Sequence, residues 1–139
     1  MTLIGRLHPL LIHFPIALVL VAAAAEAVGL ITGSARWRFL AWINVRGASL
    51  SALGAALVGW HLAATLGLEG SSVLEWHRWA GTAAAGLATV AALITLRWGT
   101  ASATRTLIYR ITLFGAAALM AATGHLGGVL VWGADFLRP

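Results

Sequence analysis

Five histidines are the residues of this sequence best suited to do chemistry in an apolar setting. Neutral imidazole binds iron, copper and zinc, and histidine titrates near neutral pH. A titratable side chain in or at the edge of a membrane segment has an energetic cost, so it usually serves a function. We therefore take as the first candidates for a metal or haem site His8, His13, His61, His77 and His125.

The composition around these histidines is that of an integral membrane protein. Of the 139 residues, 60% are hydrophobic and only 9% are charged, whereas soluble domains carry about 25% charged residues. The chain has no cysteine, which excludes disulfides, iron–sulfur clusters, thiolate metal sites and covalent c-type haem attachment. The pI is near 11.7, but the arginines are spread along the chain, so we expect no nucleic-acid partner.

Four apolar spans predict an all-α membrane protein, an antiparallel up-down four-helix transmembrane bundle that forms one domain over residues 1–139. Each span has the ~20 residues that a membrane helix needs, and none alternates like a barrel strand. The loops are short, so neighbouring helices run antiparallel. Ser72 and Glu75 form a capping box at the start of the third helix. The predicted helices cover residues 9–31, 41–66, 77–97 and 106–132.

The arginines predict which way the bundle crosses the membrane. The end at which helices two and four begin carries most of them, and we expect this end to face the cytoplasm. Both termini and all five histidines then face the periplasm or the exterior of a bacterial cytoplasmic membrane. The histidine side carries Arg6, Arg78 and Arg138. The cytoplasmic side carries Arg36, Arg38, Arg46, Arg97, Arg105 and Arg110.

The same topology brings the histidines of all four helices to one level. His8 and His13 lie at the start of span one, His61 near the end of span two, His77 at the start of span three and His125 near the end of span four. Glycine and alanine share helix faces with these histidines. Such smooth faces leave room for a flat macrocycle, and they also serve ordinary packing between membrane helices.

Bis-histidine ligation of one haem b is the interpretation that this convergence favours. Two imidazoles must face each other from different helices, and in a cyclic bundle spans two and four are diagonal. The first-choice pair of iron ligands is therefore His61 and His125, which lie at similar depth. The other diagonal offers His13 and His77 as the alternative pair.

The other polar groups at this level have supporting roles in that interpretation. Arg6 and Arg78 lie on the correct side to pair with haem propionates. Histidines that do not bind iron, His8 among them, would hydrogen-bond the propionates, a quinone or a partner protein. At the opposite end, Glu26 needs a buried partner, and Arg46 or Arg110 can supply it.

Four motifs resemble a family of small bacterial membrane proteins of unknown function that is marked by an HPLLVHFPIAL-type opening. The similarity extends over essentially all four helices. Members of that family often stand near, or are fused to, c-type cytochrome modules, so the resemblance implies redox work. The motifs are HPLLIHFPIAL at 8–18, Gly59-Trp-His61, His77-Arg-Trp-Ala-Gly81 and Gly124-His-Leu-Gly-Gly-Val-Leu-Val-Trp132.

The sequence thus predicts a membrane-embedded electron-transfer subunit of a larger respiratory or redox complex, rather than a stand-alone enzyme. Its expected partners are membrane lipid and other redox subunits or a c-type cytochrome, with quinone as a further candidate. Two alternatives stay open. One is a non-haem Cu, Fe or Zn centre built from three to five of the histidines, and the other is a non-redox membrane anchor or assembly subunit.

Overall fold

The computed structural model describes residues 3–66, 71–97 and 102–135, with side chains described from residue 8 onwards except at residue 66. Every regular element in these ranges is a helix, which confirms the predicted all-α bundle. Each helix begins earlier than its apolar span, because the polar residues that flank the spans continue the helical turns. The helices are α1 (Leu3–Thr32), α2 (Ala35–Leu66), α3 (Ser72–Thr95) and α4 (Ala103–Trp132).

Three of the four helices are long and apolar enough to cross a membrane. These spans lie over His8–Thr32, Ala35–Thr65 and Ala103–Trp132. The shorter α3 carries Glu75 and Arg78 in its first turns, which lowers its hydropathy. Its 24 residues still extend about 36 Å at 1.5 Å per residue, and it completes the bundle by packing against α2 and α4.

The helices form a ring in which each packs against the two beside it. α1 contacts α2 and α4, and α3 contacts the same two helices, so α1 and α3 lie on one diagonal and α2 and α4 on the other. The helices alternate in direction. His8 near the start of α1 lies against Gly59 near the end of α2, and Glu26 near the end of α1 bonds to Arg110 near the start of α4.

The core of the bundle consists largely of alanine, and the large apolar side chains point outward. Leu50 and Leu57, for example, are 75% and 74% exposed. Small residues let membrane helices approach closely, while lipid solvates the large apolar side chains on the outside. A fully buried alanine lies on each helix: Ala22, Ala48, Ala88 and Ala116.

Polar contacts between helices close one end of the bundle. This arginine end is where α1 and α3 finish and α2 and α4 start. Arg110 Nε donates to Glu26 Oε1 at 2.9 Å, which confirms the ion pair and selects one of its two predicted partners. Arg46 instead bonds to Thr95, donating to its Oγ1 at 2.8 Å and to its carbonyl at 2.9 Å.

The start of α3 differs by one residue from the sequence prediction. Ser71 is the N-cap, and its Oγ accepts a hydrogen bond from the N–H of Leu74 at 3.4 Å. The capping box starting at Ser72 was therefore wrong, since Ser72 is already the first helical residue. This start is important for the site, because α3 carries His77 and Arg78 in the turns that follow.

Candidate functional site

At the opposite end, called here the histidine end, the four helices part around a cavity of about 460 Å³. Ligand pockets in proteins commonly measure about 300–1,000 Å³ and combine apolar walls with a few convergent polar groups. Alanine, glycine, proline and aliphatic side chains form most of these walls. We call this space the histidine cavity. Its polar lining residues are His8, Trp60, His77, Arg78, Thr82 and Thr123.

His77 of α3 is held against α4 in a fixed orientation. Its Nδ1 lies 3.0 Å from the carbonyl oxygen of Thr123. A carbonyl only accepts hydrogen bonds, so Nδ1 carries the proton, and in the neutral ring Nε2 keeps its lone pair. Gly127 makes room for the ring, since a Cβ atom there would lie 3.2 Å from His77 Cε1. Metal-binding histidines are typically oriented by such a bond to a carbonyl.

His8 of α1 occupies the corresponding place on the α1–α2 side of the cavity. Its ring packs on the backbone at Gly59, where a Cβ atom would come within 2.9 Å of His8 Cε1. Its Nδ1 is buried and has no hydrogen-bond partner among the described residues. A buried polar atom left without a partner is destabilising, so this imidazole can gain a partner when a ligand enters the cavity.

Arg78 forms a fixed positive charge on the cavity wall. Its guanidinium carbon lies 3.7 Å from the centre of the Trp60 ring, a cation–π contact. Trp60 Nε1 in turn donates to Thr82 Oγ1 at 2.9 Å, so α2 and α3 are joined at this point. The Nε of Arg78 is buried and has no hydrogen-bond partner within the described ranges. Arg78 therefore has a hydrogen-bond donor at the cavity wall, and its pairing with a haem propionate stays a prediction.

The other predicted site residues lie elsewhere. His61 and His125 are exposed and do not line the cavity. His13 is also exposed, and its Nδ1 donates to the carbonyl of Pro9 one turn earlier. The side chain of Arg6 lies outside the described residues, as does Arg138.

The structure therefore brings together a diagonal pair that was not the first choice. His8 and His77 face one cavity from α1 and α3, while the pairing of His61 with His125, like that of His13 with His77, stays a prediction. Among the described residues, no three histidine or carboxylate side chains come together as a metal-binding group. The non-haem Cu, Fe or Zn centre of three to five histidines stays a prediction.

Sequence reasoning missed the glycines that seat the two imidazoles. Gly59 precedes His61 by two residues and Gly127 follows His125 by two, so both lie within the motifs that carry the resemblance. A glycine inside a membrane helix often marks a close approach. His61 and His125 themselves are exposed. The glycines beside them, which contact histidines of the neighbouring helices, were the better guide to the cavity.

Comparison with curated proteins and with solved structures gave no match. Comparison with protein families matched residues 6–136 to a family described as "Predicted membrane protein (DUF2231)". The matched range includes the histidine cavity and nearly the whole bundle. It confirms the resemblance to a membrane-protein family of unknown function. The chain therefore belongs to the DUF2231 family of predicted membrane proteins.

Proposed function

We propose that the histidine cavity binds one haem b and that the protein is an electron-transfer subunit of a larger redox complex. The observation that carries the proposal is the placement of His8 and His77. They come from diagonal helices and face the same largely apolar cavity. Cofactor sites in helix bundles are built from side chains on facing helices, so these two imidazoles could hold a haem between them.

The polar atoms of the cavity fit the two kinds of group that haem b presents. His77 has an Nε2 lone pair available because its Nδ1 is bonded to the Thr123 carbonyl. His8 supplies the second imidazole. Arg78, with its buried and unbonded Nε, suits a propionate, since guanidinium groups bind carboxylates through strong charge-assisted hydrogen bonds. The apolar walls suit the rest of the macrocycle.

The two imidazoles also suit electron transfer better than a reaction at the metal. If His8 and His77 both held its iron, a haem bound here would supply a one-electron couple rather than a site for a substrate. Burial among apolar side chains and a nearby arginine tune the potential of such a couple. The residues of this chain then serve to bind the ring, orient the imidazoles and balance propionate charge.

The location of the cavity fits electron exchange with a partner protein on the periplasmic side of the membrane. The positive-inside rule assigns the arginine end to the cytoplasm, so the histidine end faces the periplasm of a bacterial cytoplasmic membrane. A c-type cytochrome or another redox subunit could then approach the cavity from that side. Quinone in the lipid phase is a further candidate donor or acceptor.

Visible absorption spectroscopy of the purified protein tests this proposal. We expect a Soret band and sharp α and β bands after reduction, with one haem per chain when the haem is quantified. His8→Ala and His77→Ala should each abolish stable binding, because either change removes an axial ligand. The matched controls are His61→Ala and His125→Ala, two exposed histidines of the same end, which should retain the spectrum.

Two results would contradict parts of the proposal. A colourless protein that gains no bands when haem is added during expression or afterwards would exclude haem binding. If His61→Ala and His125→Ala lose the haem while His8→Ala and His77→Ala keep it, the haem is held by the other diagonal. That second outcome would keep the electron-transfer proposal and move its site.

A further inference from the structure

A second concave surface lies at the arginine end, on the outside of the bundle where α3 finishes and α4 starts. It has a volume of about 460 Å³. The part of this surface nearer the middle of the bundle is apolar. Two arginines, one from each helix, form the part at the arginine end. We call this surface the α3 groove. Its lining residues are Val90, Leu93, Ile94, Leu96, Arg97 and Arg105.

We propose that the α3 groove binds one anionic phospholipid, with its phosphate at Arg97 and Arg105 and an acyl chain along α3. The wall below the arginines is formed by Val90, Leu93 and Leu96, which are 43%, 57% and 62% exposed. Exposed apolar side chains of this size on a membrane bundle face lipid tails. The groove thus joins a surface for an acyl chain to two cationic groups at its end.

Arg105 is held where a headgroup would lie. Its Nη1 donates to the carbonyl of Arg97 at 3.0 Å, so its side chain reaches from α4 to the end of α3. Arg105 also stands in the first turn of α4, three residues after the N-cap Ser102. Two guanidinium groups, one beside the end of α3 and one at the start of α4, therefore favour a phosphate at the same place.

The distribution of charge along the chain favours the binding of an anion that the protein itself does not supply. The protein has nine basic and four acidic residues. Glu26 is buried and bonded to Arg110, and the other three acidic residues, Glu69, Glu75 and Asp135, belong in sequence to the histidine end. The arginine end therefore has a strong net positive charge. Basic pockets between membrane helices at the cytoplasmic side bind anionic lipid headgroups.

Lipid retention measured by native mass spectrometry tests the proposal. Protein in detergent is mixed with equal amounts of phosphatidylglycerol and phosphatidylcholine of the same chain length. With two arginines near the headgroup, we expect phosphatidylglycerol to be preferred about twentyfold. Arg97→Gln should lower that preference about fivefold, and Arg97→Gln with Arg105→Gln should bring it near parity. The control is Arg36→Gln, an exposed arginine of the same end, which should keep the preference.

Each contrary result has a definite meaning. If wild type binds both lipids equally, or the double variant keeps the preference, the groove is not an anionic lipid site. Inorganic phosphate added in large excess separates the two sources of the anion. If inorganic phosphate displaces bound lipid as effectively as added phosphatidylglycerol does, the lipid assignment is overturned in favour of a free-phosphate site. In Arg97→Gln the backbone carbonyl of residue 97 can still accept the hydrogen bond from Arg105. The single variant therefore still tests the proposal if the double variant fails to fold.

Discussion

The two ends of the bundle differ in what their buried polar groups contact. At the arginine end, side chains from different helices bond to each other, as Glu26 does with Arg110 and Arg46 with Thr95. At the histidine end, Trp60 also bonds to Thr82 of the next helix, but His77 uses only one ring nitrogen for its bond to α4, and its Nε2 stays available to a ligand. The first arrangement stabilises the helices against one another, whereas the second presents polar atoms to a space that a ligand can fill.

The difference arises from the sizes of the residues between the helices. Toward the arginine end, Val19, Val45, Tyr109 and Leu113 are fully buried together with many alanines, so larger side chains occupy the space between the helices. Toward the histidine end, glycines seat the imidazoles and small side chains line the walls. Close packing makes a region rigid and insensitive to ligand, while an open and partly polar pocket is where binding is expected.

The largest expected effect concerns the ion pair, and it is one of stability. Arg110→Met leaves the carboxylate of Glu26, which is 1% exposed, without its cation, and breaking a buried pair costs about 3–5 kcal/mol. Glu26→Gln should cost less, about 1–2 kcal/mol, because the Arg110 side chain is 32% exposed and can reach the headgroup region. Reversible unfolding in mixed detergent micelles measures both.

The control for this contrast is the double variant Glu26→Leu with Arg110→Met. It removes both charges, so part of the lost stability should return, as apolar replacement of a buried pair is often near neutral. Recovery should stay incomplete, because the buried Tyr109 hydroxyl loses its hydrogen bond to Glu26. Haem content of the folded fraction should be unchanged in all three variants. Loss of haem at equal stability would show that the two ends are coupled and that the contrast between them is false.

The second prediction fills the cavity without removing a ligand. Gly59→Ala places a Cβ atom 2.9 Å from His8 Cε1, so the imidazole must shift. Haem affinity should fall about tenfold, which corresponds to about 1.4 kcal/mol, while the free energy of unfolding should stay equal or rise by about 0.5–1 kcal/mol because alanine replaces a helical glycine. Haem titration and unfolding measure the two quantities separately.

Gly54→Ala is the matched control, because it lies on the same helix and a Cβ atom there meets nothing within 4 Å. It should gain the same helix stability and leave haem affinity unchanged. Equal affinities for both variants would remove the role assigned to Gly59. Gly127→Ala should lie between them, since its Cβ would be 3.2 Å from His77 Cε1.

The sequence predicted the end of the bundle at which the histidine cavity lies, but not which of the histidines line it. Hydropathy and loop length determine helix number and direction, so the bundle and the shared end of the histidines followed from the pattern alone. Helix rotation about its own axis was not determined in this way. These helices are apolar on all sides, so their sequence pattern does not show which side faces the centre of the bundle. The pattern therefore could not predict that His61 and His125 are exposed.

The ion pair was predictable because only one carboxylate lies in an apolar span near that end. Glu26 required a cation, and the antiparallel order left two candidates. Arg46 could not be excluded from the sequence, because its contact with Thr95 depends on the relative rotation of α2 and α3. Specific partners thus followed from the sequence only where few groups competed for the same place.

The third prediction concerns the charge beside the cavity. Arg78→Gln removes the guanidinium and its cation–π contact with Trp60, and haem affinity should fall about fivefold, or ~1 kcal/mol. The midpoint potential of the proposed haem should also fall, because a nearby positive charge favours the reduced form. Potentiometric titration measures this shift. Arg36→Gln, remote from the cavity, should leave both quantities unchanged. A similar shift in that control would mean that the potential depends on the net charge of the protein and not on the position of Arg78.

The smallest expected effect tests how the start of α3 supports the site. Ser71→Ala removes the cap that accepts the Leu74 N–H, and an exposed cap bond of 3.4 Å should be worth about 0.5 kcal/mol. Ser72→Ala, at the first helical position, should be neutral. Because His77 lies in the turns that this cap stabilises, Ser71→Ala should also speed haem dissociation slightly. Equal dissociation rates for the two variants would mean that the Thr123 carbonyl alone holds the His77 ring in place.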